Sequence, residues 1–279
     1  MTTISFPGLG IKEFTISKIA IAIGNFSIAW YGLIIVTGMM LAVAYVAWRA
    51  KRQGIPTDTV FDFAIAIIVS GVVGARLYYV LTSLDKYDSF ADAFKIWEGG
   101  LGIYGGLLAG LLALIITARV KKINVLQFAD MVAPAVLLAQ SIGRWGNFVN
   151  GEAHGSETTL PWRMGLGDGN FYHPTFLYES LWTLAGFLLL HFLFKKRRYN
   201  GQMLFGCFAF YGFGRMFIEL LRTDSLYILP YHAWFTKISV LVGFVCFALC
   251  SFLLIYFHVK GRRDEMADTE TQKSNDNKS

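Results

Sequence analysis

Seven runs of about twenty predominantly apolar residues divide this chain, and nothing else in the sequence constrains its fold as strongly. They cover roughly residues 28–49, 58–82, 101–119, 125–148, 175–194, 202–221 and 234–257. An α-helix rises ~1.5 Å per residue, so ~20 residues cross the ~30 Å hydrocarbon core of a bilayer. Inside that core the backbone must satisfy its own polar groups, which a helix of this length does unaided. The expected fold is all-α, a polytopic membrane protein with a bundle of about seven transmembrane helices. Composition agrees: 55% apolar against 16% charged residues is too little polarity to coat a soluble globule of 279 residues. Disorder and a disulfide-built secreted scaffold are excluded on the same ground. Cys207, Cys246 and Cys250 lie inside apolar runs and read as packing residues. Residues 1–260 read as one seven-span domain. Residues 261–279 are polar, lack apolar periodicity and read as a disordered tail.

Basic clusters give the expected orientation. Arg49, Lys51 and Arg52 follow the first run, and Arg119, Lys121 and Lys122 follow the third. Lys195 to Arg198 follow the fifth, and Lys260, Arg262 and Arg263 follow the seventh. Positive loops stay cytoplasmic, so the N-terminus is expected outside and the C-terminus inside. The first run, ending in those arginines, reads as a span rather than a cleaved leader. The net charge of +6 is then mostly a topology signal and does not imply a nucleic-acid partner.

That orientation gives each intramembrane polar residue a depth. Arg76, Arg144, Arg215, Glu219 and Arg222 fall in the outer halves of spans 2, 4 and 6, and Tyr31, Tyr104, Tyr178 and Glu179 near the outer ends of spans 1, 3 and 5. Ionisable residues at such positions are costly and point to function. On span 6 the spacing of Tyr211, Arg215 and Glu219 places them on one helical face, with Arg222 three residues on. An internal Arg–Glu ladder would account for Glu219. The surplus of guanidinium calls for an anion, and Arg matches phosphate by paired hydrogen bonds. In an outer leaflet the available anion is a phospholipid headgroup.

The stretch Gly143-Arg144-Trp145-Gly146-Asn147-Phe148-Val149-Asn150-Gly151-Glu152-Ala153-His154-Gly155 carries the most information. Its glycines, set around an arginine, two amides and a carboxylate, predict a connection bent tightly against a ligand or another helix. A second polar turn, His173-Pro174-Thr175-Phe176-Leu177-Tyr178-Glu179, opens span 5. Trp97-Glu98-Gly99-Gly100-Leu101-Gly102-Ile103-Tyr104 leads into span 3. There is no phosphate-binding glycine loop, no zinc spacing and no serine nucleophile elbow, so no metal and no cofactor are expected.

The long glycine–asparagine stretch resembles the signature of bacterial prolipoprotein diacylglyceryl transferases. Supporting matches run in order along the chain: Trp30-Tyr31-Gly32, Gly74-Ala75-Arg76-Leu77, Trp97-Glu98-Gly99-Gly100, His173-Pro174 with Leu177-Tyr178-Glu179, and Tyr211-Gly212-Phe213-Gly214-Arg215 with Glu219 and Arg222. The resemblance implies a multi-pass enzyme of the bacterial plasma membrane whose site faces the extracytoplasmic leaflet. Its partners would be phosphatidylglycerol and prolipoprotein signal peptides carrying a lipobox cysteine. The implied reaction moves an sn-1,2-diacylglyceryl group to that thiol, forms a thioether and releases glycerol 1-phosphate.

By the same resemblance, Arg144 matches a lipid-binding arginine, and Asn147, Glu152 and Gly155 match required signature positions. Tyr31, Tyr211 and Arg215 match essential positions. The expected catalytic group is Arg144, Arg215, Tyr31, Tyr211, Tyr104 and Glu152. The expected lipid-binding group is Arg144, Asn147, Asn150, Gly155, Arg76, Arg222 and Glu219. Some members carry histidine, proposed as the thiol's base, where this chain has Tyr104. A phenol, ionising near pH ~10, is a poor base, so the proton acceptor stays open among Tyr104, Glu152 and the departing phosphate. Two readings from other classes are an anion-selective transporter, which needs polar residues through both leaflets, and a non-catalytic lipid-binding scaffold.

Overall fold

The computed structural model describes residues 1–24, 26–84, 94–95, 99–223 and 237–276. Among the described residues, seven helices are long and apolar enough to cross a membrane. They are α1 (Trp30–Lys51), α2 (Thr57–Thr82), α3 (Ile103–Val120), α4 (Val125–Asn150), α5 (Thr175–Leu193), α6 (Gln202–Leu221) and α7 (Ile238–Asp276). Most boundaries fall within two or three residues of the hydropathy limits, because span length is set by continuous apolar sequence. Residues 234–236 of the expected seventh span lie outside the described residues, as do Trp97 and Glu98. Local signals mark several ends. Pro56 precedes α2 and Pro174 precedes α5, where a missing N–H costs nothing, and Gly201 enters α6 at a φ of 97°.

Two further features lie outside the apolar runs. The backbone of α7 stays helical as far as Asp276, well past residue 260. The polar segment contains Glu265, Met266, Ala267, Glu270 and Gln272, all good helix formers, so a helix already started can propagate through them. Beside the all-α bundle of spans, the described residues also form six short strands. They are β1 (Thr2–Phe6), β2 (Ile11–Ile16), β3 (Ile19–Ile23), β4 (Phe26–Ala29), β5 (Met164–Gly165) and β6 (Phe171–Tyr172). Alternation such as Ile19-Ala20-Ile21-Ala22-Ile23 has the two-residue period of a strand and lies outside the spans.

The chain divides into two compact units, residues 1–42 with 132–279, and residues 43–131. In the first unit, an antiparallel sheet has the order β2-β1-β5-β6, with Thr2 opposite Ile16, Ser5 opposite Gly165 and Met164 opposite Tyr172. Ile4, Met164 and Phe176 form its buried core, with Phe148 and Leu177 packed against them. The sheet thus rests on the end of α4 and the start of α5. Strands β3 and β4 form a separate hairpin that runs straight into α1.

Helix seams in this unit rely on small residues, which let membrane helices approach closely. Ser141 of α4 and Ser180 of α5 each donate a hydroxyl to the other's carbonyl, both at 2.9 Å. The Trp182 indole of α5 lies over Gly214, stacks on Phe210 at 4.3 Å and donates to the Phe210 carbonyl at 3.0 Å. Gly212 and Gly243 bring the α6 and α7 backbones together.

In the second unit, Gly71 and Gly74 of α2 meet Gly105 and Gly106 of α3. Phe63 and Phe128 stack at 3.7 Å, and Lys121 pairs with Asp62. Arg76 is buried there and donates from Nη1 to the carbonyls of Gly99 at 2.6 Å and Gly100 at 3.0 Å.

Candidate functional site

The candidate site lies at one end of α4, α5 and α6 in the first unit. The signature stretch does not form the bend that its glycines predict: residues 143–150 complete α4 as helix. Its glycines serve close approach instead. A Cβ on Gly146 would stand 2.7 Å from the Tyr31 ring of α1, and one on Gly143 would stand 3.2 Å from Ile35. The turn comes only afterwards, at Gly151 (φ 67°) and Ala153 (φ 55°). Glycine adopts such a backbone without strain, whereas Ala153 carries a Cβ into it. The Thr175 hydroxyl, donating to the Ala153 carbonyl at 2.5 Å, ties that turn to the first residue of α5.

Helix α4 presents Arg144 within its last two turns. Arg144 Nη1 donates to Asn147 Oδ1 at 3.3 Å, a pairing that the i,i+3 spacing allows. Glu152 Oε1 then accepts from Asn147 Nδ2 at 3.1 Å and from Asn150 Nδ2 at 3.2 Å. The carboxylate closes the turn by gathering both amides. Gly155 continues outward beside His173 and Arg222, its N–H donating to the His173 carbonyl at 2.9 Å. A Cβ at Gly155 would collide with His173 Cβ and the Leu221 carbonyl, so a side chain has no room there.

Glu179 of α5 is the centre of the arrangement. Arg144 Nη2 reaches its Oε2 at 2.5 Å, while Arg215 Nη1 and Arg222 Nη1 reach its Oε1 at 2.7 and 3.2 Å. Arg215 forks, its Nη2 pairing with Glu219 Oε2 at 2.6 Å along α6. The expected ladder on that helix is present. Glu179 and Glu219 are buried, whereas the Arg144 side chain keeps 24% of its surface. Of the three guanidinium groups that meet these carboxylates Arg144 is the most exposed, so it is the one an incoming phosphate can reach by charge-assisted hydrogen bonds.

The expected residues are therefore partly gathered and partly separate. Arg144, Asn147, Asn150, Glu152, Arg215, Glu219 and Arg222 join one network through Glu179. Tyr31 packs on the same turn of α4 through Gly146, and Tyr211 stands one turn before Arg215 on α6. Arg76 and Tyr104 belong to the second unit, where Arg76 holds loop carbonyls and Tyr104 meets Tyr78 edge to face at 6.3 Å.

Two members were not among the expected site residues. Glu179 was noted at the opening of span 5, and the cost of a carboxylate in a span is the signal that marks it. Lys237 precedes α7, is buried, and donates to the carbonyls of Glu219 and Arg222, both at 2.8 Å. A lone lysine inside the expected seventh span was its signal.

At the start of α5 and in the segment before it, a polar group borders the site. Tyr178 receives the Trp162 indole N–H at 2.7 Å and lies 3.3 Å from His173 Nδ1. Burial lowers the His173 pKa from its ordinary value. Asp168 accepts from the Tyr172 hydroxyl at 2.5 Å, a contact that lowers the carboxyl pKa and raises that of the phenol. The His154 ring lies 4.3 Å from that of Tyr172.

Sequence comparison places this arrangement in a family. The family model described as prolipoprotein diacylglyceryl transferase matches residues 18–256, and so includes every residue of the network. A phosphatidylglycerol–prolipoprotein diacylglyceryl transferase of Listeria monocytogenes serotype 4a is 38% identical over 265 residues, covering 91% of this chain and 93% of the relative. Relatives of the same name in Clostridium perfringens and Clostridioides difficile are 42% and 44% identical, each over 76% of this chain and 86% of its own length. The chain belongs to the prolipoprotein diacylglyceryl transferase family.

Proposed function

We propose that this multi-pass membrane protein transfers the diacylglyceryl group of phosphatidylglycerol to prolipoproteins, through the network centred on Glu179. The observation that carries the site assignment is the convergence of Arg144, Arg215 and Arg222 on one buried carboxylate. Family membership takes precedence over the transporter and scaffold readings.

In this reading the thiol sulfur of a lipobox cysteine attacks the glyceryl carbon. A carbon–sulfur bond forms as the carbon–oxygen bond to phosphate breaks, and glycerol 1-phosphate leaves. Negative charge grows on the bridging oxygen, and fixed cationic groups in a dry site stabilise it without reorganising. Arg144 and Arg215 hold that phosphate. Asn147, Asn150 and Glu152 keep the turn beside it in place, and Tyr31 and Tyr211 orient lipid and thiol. The same cations lower the pKa of the incoming thiol. Its proton passes to the departing phosphate or to Glu152. The distribution of the basic clusters supports a site end of α4, α5 and α6 that faces the extracytoplasmic side of a bacterial plasma membrane.

The test is purified protein in vesicles with phosphatidylglycerol and a lipobox peptide. Mass spectrometry should show the peptide gaining one diacylglyceryl group, and a cysteine-to-serine peptide should stay unmodified. An unmodified cysteine peptide, with the protein folded and lipid present, overturns the proposal.

A further inference from the structure

Lys237 is absent from the chemistry above, yet its ammonium is buried at the edge of the arginine network. It sits immediately before α7, and its own carbonyl accepts from the N–H groups of Val240 at 3.1 Å and Leu241 at 3.2 Å, starting that helix. Its Nζ reaches back to the other side of the α6–α7 connection. There it bonds two carbonyls at the end of α6, those of Glu219 and Arg222, each at 2.8 Å. The last carbonyls of a helix have no partner within the helix and carry its negative dipole end, so a lysine satisfies both needs at once.

The two capped residues are not arbitrary. Glu219 and Arg222 are the ones whose side chains enter the network, at Arg215 and at Glu179. The Arg222 N–H also donates to the Glu219 carbonyl at 3.2 Å, so one short turn carries both side chains and both accepting carbonyls. Arg222 has already left α6, with ψ near 144°. Its backbone pairs antiparallel with Gly155, and the neighbouring Ser156 N–H donates to the Leu221 carbonyl at 2.7 Å.

We infer that Lys237 is a positioning residue for phosphatidylglycerol binding, fixing the last turn of α6 so that Arg222 stays on Glu179 and the three guanidinium groups keep one geometry. The inference rests on the proposed role of Arg144 and Arg215 in holding the lipid headgroup, with Arg222 steadying the Glu179 carboxylate between them. It acts through donated hydrogen bonds rather than through charge at the substrate. A neutral donor of similar reach should therefore replace it, and an apolar side chain should not.

The experiment compares Lys237→Met, Lys237→Gln, Arg222→Gln and the double variant Lys237→Met/Arg222→Gln in vesicles. Initial rates are taken against phosphatidylglycerol and against peptide. Lys237→Met should raise KM for the lipid about tenfold, with kcat and the peptide KM within about threefold of the parent, as loss of substrate binding predicts. Lys237→Gln should restore the lipid KM to within about threefold. The double variant should be no worse than Arg222→Gln alone, because both changes remove the same interaction.

A lipid KM unchanged in Lys237→Met overturns the inference. So does a rise that glutamine leaves uncorrected, or one that adds in full to that of Arg222→Gln. If instead Arg222→Gln itself leaves lipid binding intact, the headgroup role of the arginines is what fails, which keeps the two ideas separable.

Discussion

Arg215 is the residue whose replacement discriminates most sharply between holding the fold together and doing chemistry. Its fork spans two carboxylates, at 2.7 Å from Glu179 and 2.6 Å from Glu219. The two do not depend on it equally. Glu179 also has Arg144 and Arg222, whereas the ion pair of the Glu219 carboxylate among the described residues is with Arg215. Arg215→Met leaves Glu219 buried without its counterion, and breaking a buried pair in this way costs about 3–5 kcal/mol.

Arg215→Lys keeps a charge but cannot fork, so it serves Glu219 and leaves Glu179 to its two other arginines. The loss is then one charge-assisted hydrogen bond, about 1.5–3 kcal/mol, or roughly a 10- to 150-fold fall in kcat/KM if the transition state feels it in full. Arg215→Met/Glu219→Gln removes the stranded charge together with its partner. It should recover most of the stability lost in Arg215→Met while staying inactive, because no guanidinium is restored. Thermal unfolding in detergent, followed by tryptophan fluorescence, reads the first effect, and the peptide mass assay reads the second. Recovery of activity in the double variant, or near-parental turnover in Arg215→Lys, would refute the argument that the fork itself is used.

Other consequences follow from individual contacts. Gly146→Ala places a Cβ 2.7 Å from the Tyr31 ring, and overpacking of this kind costs about 1–3 kcal/mol; turnover should fall far more than protein yield, and normal turnover would show that the ring can move freely. Ser141→Ala and Ser180→Ala each remove a buried donor between α4 and α5, so each should lower unfolding stability by about 1 kcal/mol, and an unchanged melting curve would count against this clamp. The lowered pKa of His173 means that the unfolded chain takes up its proton first as pH falls. Its contribution is therefore complete above pH ~6.5 and declines below it, toward the folded-state value. Melting temperatures at pH 7.5 and 5.5 should differ less in His173→Gln than in the parent, and an identical difference would remove His173 as the cause.

What depends on local order along the chain is legible in the residues alone. Span number and most limits follow from hydropathy, since apolar length must match the membrane wherever the helix packs. The Arg215–Glu219 pair was legible for the same reason, because i,i+4 neighbours meet on any helix. The alternation of Ile19, Ile21 and Ile23 was equally local and marks β3, although attention to the spans passes over it.

Tertiary structure decided the rest. Glycines at 143 and 146 are compatible with a turn or with a close helix contact, and only the Tyr31 ring lying against Gly146 selects the helix. Glu179 is 36 residues from Arg215 and 43 from Arg222, so no periodicity links them, and their meeting depends on how α5 packs on α6. Lys237 reads as an isolated charge until its ammonium meets the end of α6. A charge within a span announces that it needs a partner, but the identity of that partner is fixed by packing.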